Sequence, residues 1–474
     1  MKPYDYKVFL LVVIILIGII LRLWPLQIAH WWDETAYLQN AEVIFSGHSN
    51  YDEFQIRPPL LSLLIAGIFI FYHNIFSAGI LTAILGSLGI FFIYLLCKHI
   101  YDEDVALIAA AIYSFSSILV ESGHWIMTEA PALSLLIGSI YFLIKSDLKN
   151  NYNLFLSALF TGLAILMRFT SIIVAGIFVL YMLMNNRTFN FIKNSLIVWG
   201  VYVLAVLAPY LIWVQFKYNF FLFTIIRANT VVSDYNESIF FYFTAVFTYF
   251  PPLLIAGLFL IIYKSFKNPK YNLNEKFLIT WFFIYLIYIT LTPHKEARYM
   301  MPLLPPLIIL TSYEIKNLFK NIFFSKHIQH KNLSKKHNNI IKVFVKCAFV
   351  LLILVLSIFS FHSAFIKINQ SLINTHPTLE ITLSEFIKSS NITANLIYSN
   401  SEFPVLAYYT GLKVSPIYAR NLDFYNFYET HMQEPGLFIY YAERSEEPSL
   451  EWLEQNERFV LLKNLDTIYL YSYD

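Results

Sequence analysis

Charged residues are scarce in this chain of 474 residues: Asp, Glu, Lys and Arg together make up 14%, whereas soluble domains average about 25%. Hydrophobic residues reach 58%, and the mean hydropathy is +0.57. This composition excludes a soluble enzyme as a description of the whole chain and indicates a protein that mostly faces lipid. The net charge of +2 gives no sign of a nucleic-acid partner.

Cysteine is scarcer still, with only Cys97 and Cys347 in the sequence. Both lie in apolar stretches, and they are far apart along the chain. Isolated cysteines of this kind usually pack as small hydrophobic side chains. We therefore expect no disulfide between them.

Long apolar runs are abundant. The first, Val8 to Leu26, is long enough to cross a hydrocarbon core of about 30 Å at about 1.5 Å per residue. It is too long for the apolar part of a signal peptide, and no small-residue cleavage site follows it, so we predict an uncleaved first helix. Further runs bring the predicted spans to eleven: 76–97, 105–121, 130–144, 152–167, 170–184, 195–215, 240–263, 277–291, 299–313 and 343–363.

The short apolar segment Leu60 to Tyr72 decides the predicted topology, because each crossing reverses the side of every later loop. If this segment does not cross, most Lys and Arg residues of the loops share one face with the N-terminus, as cytoplasmic loops do. If it crosses, most of the basic loops lie outside. We therefore predict an interfacial or re-entrant helix here, in a multi-pass cell-membrane protein with a cytoplasmic N-terminus and an extracytoplasmic C-terminus.

From about residue 365 the sequence becomes polar and alternating. The pattern predicts a transmembrane domain over 1–364, with an outer loop at 27–57, and a small extracytoplasmic α/β domain over 365–474. A loose tail packed on the membrane part is the alternative. Within the tail we predict a helix at 382–389, a turn at 408–411 and strands at 394–398, 436–441, 458–462 and 467–471.

Two adjacent carboxylates, Asp33 and Glu34, follow Trp31 and Trp32. Tryptophans anchor at the membrane–water interface, so the carboxylates should stand just outside the membrane surface. Adjacent residues of a helix point about 100° apart, so at most one of them faces a given substrate atom, and we favour Asp33. A solvated pair without function and the second acidic pair at 52–53 are the alternatives.

Glu129 lies at the outer end of a predicted span. A carboxylate at the mouth of an apolar helix is costly unless it faces protein or water, which makes Glu129 a candidate functional residue. The alternative is a helix start, for which Thr128 and Pro131 are suitable residues. The sequence does not separate the two.

A short turn between two apolar segments contains His294, Lys295 and Arg298. Three groups that can carry positive charge in one outer turn suit an anion, and the phosphate of a lipid head group is the anion at that depth. Arg57 and Arg168, each beside an apolar segment, are further candidates for the same phosphate. The alternative is a hairpin tip whose long side chains reach towards water.

One carboxylate base and several cations on the outer face are the groups that sugar transfer from a lipid-linked phosphate requires. Cations neutralise the departing phosphate, so it needs no acid, and the acceptor hydroxyl needs one positioned base. Glycoside hydrolysis would need a second carboxyl group as the acid. Because the outer face lacks nucleotide-activated sugars, a lipid carrier must bring the donor across.

These motifs resemble the membrane glycosyltransferases of the C-type fold, in particular the protein O-mannosyltransferase and aminoarabinose transferase group, which takes sugars from polyprenyl phosphates. The likeness covers the layout of residues 1 to about 313 and rests on four motifs: the acidic pair Asp33-Glu34, Arg57-Pro58-Pro59-Leu60, Met127-Thr128-Glu129-Ala130 and the turn His294-Lys295-Glu296-x-Arg298-Tyr299. The resemblance implies a polytopic α-helical fold with Asp33 as the catalytic base. It also implies donor-phosphate binding by Arg57, Lys295 and Arg298, where family members often have Lys at the position of Arg57.

Members of this group divide over metal use. Asp33, Glu34 and Glu129 offer oxygen ligands for a divalent cation, whereas Lys295 and Arg298 would make one unnecessary. The sequence therefore leaves the cofactor unknown.

We expect a glycosyltransferase that moves mannose or a similar sugar from a polyprenyl-phosphate donor to a hydroxyl of a protein, lipid or glycan, with inversion. One rival is a flippase or secondary transporter of lipid-linked oligosaccharides, which would need mid-membrane charges and two matching halves. Another is a ligase or polymerase that joins oligosaccharide blocks on the same face.

Overall fold

Helices make up most of the chain, and strands lie near its C-terminus. The computed structural model describes residues 5–24, 30–149, 151–184, 188–233, 237–267, 271–324, 362, 365–366, 378–390, 392, 394–417, 423–445 and 447–474. Contacts divide the chain into two compact units. The helical unit comprises Met1–Pro25, Pro58–Leu60 and Gly79–Asn369, and the sheet unit comprises Leu26–Arg57, Leu61–Ala78 and Gln370–Asp474.

The helical unit contains the long apolar helices of a membrane protein. Its described helices are Asp5–Leu23, Ile75–Ile100, Glu103–Phe115, Ser117–His124, Glu129–Ser146, Asn151–Met167, Ile173–Met184, Phe189–Tyr218, Phe223–Ser233, Phe241–Tyr249, Pro252–Lys267, Leu273–Leu291 and Leu304–Phe324. Short 3-10 helices at Phe169–Ile172 and Ala297–Leu303 precede two of them.

Of the described helices, five are long and apolar enough to cross a membrane: Tyr6–Leu23, Ile75–Ile100, Glu129–Ser146, Phe189–Tyr218 and Leu273–Leu291. A sixth is added if Glu103–Phe115 and Ser117–His124, which are bent by 56°, form one span. The number eleven stays a prediction. All but one residue of the predicted span 343–363 lie outside the described residues.

Small and hydroxylated residues hold two of these helices close together. Ser139 Oγ lies 2.6 Å from Thr161 Oγ1 and donates to the carbonyl of Ser157 at 3.0 Å. Such contacts replace the hydrophobic effect, which does not drive association between helices inside a bilayer. Helices Glu129–Ser146 and Asn151–Met167 therefore lie side by side, and the start of the first is next to the end of the second.

The sheet unit contains a five-stranded sheet in the order β2-β1-β3-β5-β4. The pairs β1–β2 and β1–β3 are parallel, and β3–β5 and β4–β5 are antiparallel. The strands are β1 Leu396–Ser399, β2 Lys413–Pro416, β3 Gly436–Tyr441, β4 Phe459–Leu465 and β5 Ile468–Tyr473, and the helices around them are Thr378–Ser389, Phe403–Thr410, Phe424–His431 and Leu450–Gln455.

Residues 408–411, predicted as a turn, instead form the end of helix Phe403–Thr410. Gly411 closes this helix at φ +74°, a left-handed conformation that a glycine adopts without a steric penalty. The Gly signal therefore marked a helix end rather than a free turn.

The outer loop belongs to the sheet unit. Asn50 accepts a hydrogen bond from Val414 N at 2.8 Å, and His30 N donates to the hydroxyl of Tyr409 at 2.7 Å. The loop contains helix Trp32–Ser46, whose Tyr37 carbonyl accepts from Ser62 Oγ of helix Leu60–Phe69 at 3.0 Å. This second helix has 10 residues and rises about 15 Å, roughly half of a hydrocarbon core.

Candidate functional site

Asp33 lies in the first turn of helix Trp32–Ser46 and pairs with an arginine. Arg57 Nη2 is 2.7 Å from Asp33 Oδ1, and Arg57 Nε is 2.6 Å from Glu53 Oε2. Tyr37, one helical turn after Asp33, places its ring 5.3 Å from the guanidinium group. Asp33, Glu53, Arg57 and Tyr37 form what we name the Asp33 cluster, in which Arg57 fixes the orientation of the Asp33 carboxylate.

Glu53 is the buried support of this cluster. Its carboxylate accepts from Trp32 Nε1 at 3.1 Å and from the Tyr51 hydroxyl at 3.2 Å. Burial is the largest single effect and lowers the pKa of Arg57, but the charges of Asp33 and Glu53, with Tyr37 and the hydrogen bond to Glu53, together outweigh it and hold that pKa well above its usual value. Burial, with the charge of Glu53, raises the pKa of Tyr51. The acidic pair at 52–53, a competitor in the sequence, thus contributes Glu53 to the same cluster.

The Glu34 side chain contacts the residues just before its own helix. Its side chain is fully buried, and it accepts a hydrogen bond from Trp31 N at 3.4 Å and lies 3.2 Å from His30 Nδ1. These contacts bind the carboxylate to the start of its own helix. Asp33, whose side chain is 17% exposed, is the more exposed member of the pair.

A second group of charges lies in the helical unit. Glu129 Oε1 is 2.7 Å from Arg168 Nη1 and 3.2 Å from Arg298 Nη1. Glu129 begins helix Glu129–Ser146, and Arg168 directly follows helix Asn151–Met167. The ring of Tyr299 lies 5.2 Å from the guanidinium carbon of Arg168 and 5.9 Å from that of Arg298. We name these four residues the arginine cluster.

The turn before Arg298 is held together by its own charges. Arg298 Nη2 donates to Glu296 Oε1 at 2.9 Å, and His294 Nε2 is 2.7 Å from the same oxygen. Lys295 is buried, and its ammonium donates to the carbonyls of Thr292 at 2.8 Å and Glu237 at 3.2 Å. Of the three cations predicted in this turn, Arg298 is the one that the structure brings to Glu129 and Arg168.

A cavity of about 140 Å³ opens on the arginine cluster. All four residues of the cluster line it, together with Thr170 and Ser171. Its remaining walls are largely apolar and include Leu133, Leu136, Ile173 and Ile289. Each guanidinium group has five N–H donors in a fork that matches a phosphate. The cavity therefore has the chemistry to bind an amphiphile with an anionic head and an apolar chain.

The part of the chain that the structure describes contains no group of three or more His, Cys, Asp and Glu side chains that could hold a metal ion. Of the three carboxylates considered as ligands, Glu34 is bound to its own helix start, and Asp33 and Glu129 each pair with arginine. The geometry of each cluster is that of an ion-pair network.

The sequence indicated Glu53 only as part of a competing acidic pair and Arg168 only as a further candidate for the phosphate, and it did not indicate Tyr37. Glu53 lies four residues before Arg57, a spacing at which a turn brings two side chains together. Tyr37 lies four residues after Asp33 in helix Trp32–Ser46, a spacing that places two side chains on one face of a helix. Arg168 follows an apolar run directly, and only the pairing of that run with helix Glu129–Ser146 reveals its importance.

Comparison with known proteins shows which protein family and which relatives the chain resembles. The family model described as dolichyl-phosphate-mannose-protein mannosyltransferase matches residues 56–213. This segment includes Arg57, Glu129 and Arg168 but not Asp33. An α-1,2-mannosyltransferase, ALG9 of Arabidopsis thaliana, is 23% identical over 249 residues, which cover 48% of this chain and 44% of the relative. The match thus spans less than half of the relative's length.

Several solved structures match along most of the chain. ArnT of Cupriavidus metallidurans, solved with undecaprenyl phosphate, has a TM-score of 0.72 at 14% identity and covers 99% of this chain and 98% of its own. The resemblance to C-type membrane glycosyltransferases is confirmed. An oligosaccharyltransferase of Archaeoglobus fulgidus has a TM-score of 0.66 at 12% identity and covers 92% of this chain and 70% of its own. At these identities the comparison establishes the shared fold.

Proposed function

We propose that the protein is a glycosyltransferase that moves mannose or a similar sugar from a polyprenyl-phosphate donor to an acceptor hydroxyl at the outer face of the cell membrane. The observation that carries this proposal is the cavity of the helical unit, where two arginines meet apolar walls. Supporting it, the matching family model is named for dolichyl-phosphate-mannose, and the structural neighbours have been solved with undecaprenyl phosphate and dolichol-phosphate.

In the proposed complex Arg168 and Arg298 bind the donor phosphate, and the polyprenyl chain lies along the apolar walls of the cavity. Arginine is suited to this role because it binds a phosphate in a bidentate manner and keeps its charge when buried. Glu129 holds both guanidinium groups together through one oxygen. Glu296 accepts a hydrogen bond from Arg298, and His294 contacts the same carboxylate oxygen, so both residues hold Arg298 in place.

Asp33 is the proposed base. It takes the proton of the acceptor hydroxyl, whose oxygen attacks the anomeric carbon on the side opposite the phosphate, and the bond between that carbon and the phosphate oxygen breaks. The departing phosphate keeps the bonding electrons and is neutralised by Arg168 and Arg298, so no acid is needed. Attack from the opposite side inverts the configuration of the sugar.

The decisive experiment replaces Asp33 by Asn in the full-length protein in lipid nanodiscs. We expect transfer from a labelled polyprenyl-phosphate mannose to fall by about 10²- to 10⁴-fold, the usual contribution of a general base, while donor affinity stays unchanged. Asp52→Asn, a substitution in the same loop, is the matched control and should retain activity. Turnover near that of the wild type in Asp33→Asn would refute the assignment of the base.

The phosphate site has its own test. Arg168→Met and Arg298→Met each remove hydrogen bonds to a charged group that are worth about 1.5–3 kcal/mol, so the Kd of the labelled donor should rise about 10- to 100-fold. Exposed Arg227, replaced by Met, is the control. Unchanged donor affinity in both cavity variants would refute the assignment of the donor phosphate to this cavity.

The fold that the chain shares with an oligosaccharyltransferase favours a second candidate, transfer of a preassembled oligosaccharide by the same chemistry. A donor with one sugar and a donor with several, compared in the same assay, separate the two. The acceptor is a protein, a lipid or a glycan of the cell surface. Mass spectrometry of surface glycans after deletion of the gene identifies it.

A further inference from the structure

Arg22 is a buried arginine in the last turn of helix Asp5–Leu23. Its side chain is 1% exposed, and its Nη1 donates to the carbonyl of Gly18 at 2.8 Å and to that of Ser114 at 3.5 Å. Among the described residues, its Nε and Nη2 have no hydrogen-bond partner and no carboxylate pairs with it. A charge buried in an apolar helix bundle is costly and marks a functional residue by default.

Three helices end at this arginine. Helix Asp5–Leu23 contains it, helix Glu103–Phe115 ends one residue after Ser114, and His124, the last residue of helix Ser117–His124, places Nδ1 3.3 Å from the Arg22 carbonyl. The carbonyls at a helix C-terminus are unpaired and carry partial negative charge that favours a cation. The carbonyl of Gly18 and that of Ser114, which lies at the end of helix Glu103–Phe115, therefore accept from the guanidinium group in place of a carboxylate.

Gly123 makes room for the Arg22 side chain. A Cβ atom added at Gly123 would lie 2.6 Å from Arg22 Cδ and 2.8 Å from Nε, too close for either position to remain unchanged. The bend of 56° after Phe115 brings helix Ser117–His124 to this contact. Arg22 and Gly123 thus fix the end of the bent helix.

The segment that follows this fixed end carries the arginine cluster. Trp125, Ile126, Met127 and Thr128 are all buried and connect His124 directly to Glu129. Met127 Sδ accepts from Arg298 Nη1 at 3.0 Å, and Thr128 Oγ1 accepts from Arg168 Nη1 at 3.4 Å. A shift of His124 would therefore move contacts to both cavity arginines.

We propose that Arg22 is a positioning residue: it holds the ends of three helices together, fixes residues 117–128, and thereby keeps Glu129 between Arg168 and Arg298. The part of this inference that concerns the donor rests on the proposed function of the cavity. The part that concerns residues 117–128 does not.

The test compares Arg22→Met with Arg22→Lys in the full-length protein. Met has a similar length but no charge, so the helix ends lose their cation, and we expect the KM for labelled polyprenyl-phosphate mannose to rise about tenfold with kcat within about threefold, the signature of lost ground-state binding. Lys keeps the cation and should restore part of the affinity. Arg227→Met is the control for loss of an exposed arginine.

Hydrogen exchange of the backbone amides of residues 117–128 supplies a readout that does not depend on sugar transfer. We expect faster exchange in Arg22→Met and, by displacement of the same side chain, in Gly123→Ala. Faster exchange in a protein whose wild type transfers no sugar would support the positioning role and refute the proposed function. Unchanged exchange and unchanged KM in both variants, with an active wild type, would overturn the inference about Arg22.

Discussion

Arg57 pairs with two carboxylates. This contact bears on whether Arg57 binds the donor phosphate or orients the proposed base. The family resemblance implies that Arg57 meets the donor phosphate. In the structure its Nη2 and Nε bind Asp33 and Glu53 at 2.7 and 2.6 Å. The rigid, planar guanidinium group presents Nη2 to one carboxylate and Nε to the other in a fixed geometry, which a flexible ammonium group does not reproduce. This geometry favours Arg57 as the residue that orients the proposed base.

Arg57→Lys tests this role. Lys keeps the charge but cannot hold both carboxylates in the same geometry, so we expect kcat to fall about tenfold or more while the KM for the donor stays within about threefold. Initial rates over a range of donor concentrations measure both constants. Arg444→Lys, at an exposed position of the same unit, should leave them unchanged. A large rise in KM alone would instead support a contact with the phosphate.

Lys295 shows why a cluster of charged residues in the sequence does not by itself identify the residues that bind a ligand. The sequence places it beside Arg298, yet its ammonium donates to two backbone carbonyls. We expect Lys295→Met to lower the free energy of unfolding by about 1–3 kcal/mol, because hydrogen bonds from a buried charged group are lost. Donor affinity should change less than threefold. Thermal unfolding and donor displacement measure the two effects, and a tenfold loss of affinity would restore the predicted phosphate contact.

The residues of the candidate site were predictable to different degrees. The prediction of Asp33 as a candidate rests on its position after an interfacial tryptophan pair, which is evident from the sequence alone. Glu53 is not evident in this way, because its contact with Trp32 depends on how the chain folds back over a separation of 21 positions. The choice between Lys295 and Arg168 depends on the folded structure, since the sequence does not reveal whether a cation donates to a backbone carbonyl or lines a cavity.

At the scale of elements, hydropathy located the apolar helices but missed their breaks. The predicted span 240–263 is two helices, Phe241–Tyr249 and Pro252–Lys267. Pro251 and Pro252 explain this break, because proline lacks the amide hydrogen and restricts the residue before it. The break at Ser116, between helices Glu103–Phe115 and Ser117–His124, is not marked by a proline. Strand β2, Lys413–Pro416, was missed because it is short and only partly buried.

The helix Phe403–Thr410 starts at a carboxylate that should titrate near neutrality. Burial and the nearby charge of Glu380 raise the pKa of Glu402 from 4.5 to about 7, and Arg444, 3.7 Å away, opposes this shift. Because the folded-state pKa lies above the unfolded value, the stabilising effect of protonation is complete below pH 4.5 and is lost as the pH rises through about 7.

We therefore expect the sheet unit to lose up to about 1.4 kcal/mol of stability per pH unit across that window. Hydrogen exchange of residues 396–473 in the full-length protein, measured from pH 4.5 to 8, gives the slope. Glu402→Gln should flatten it, and Glu457→Gln, at an exposed position, should not. An equal slope in the wild type and Glu402→Gln would assign the dependence to another group.

For the whole molecule, the proposed sidedness predicts a labelling pattern. Single cysteines at Ser49 and Glu457, both exposed, should react with an impermeant maleimide in intact cells, while one at Lys149 should react only after permeabilisation. The background protein lacks the native cysteines through Cys97→Ala and Cys347→Ala. Labelling of position 149 in intact cells would reverse the proposed orientation.

The hydrogen bonds from the outer loop to the segment 409–414 constrain the path of the chain between them. A polypeptide changes sides at every passage through a bilayer, and two hydrogen-bonded surface segments lie on one side. In the proposed topology the chain therefore makes an even number of passages between the outer loop and this segment. Helix Tyr6–Leu23 adds one more passage before the loop in this topology, so the proposed total is odd and the proposal places the two termini in opposite solvents.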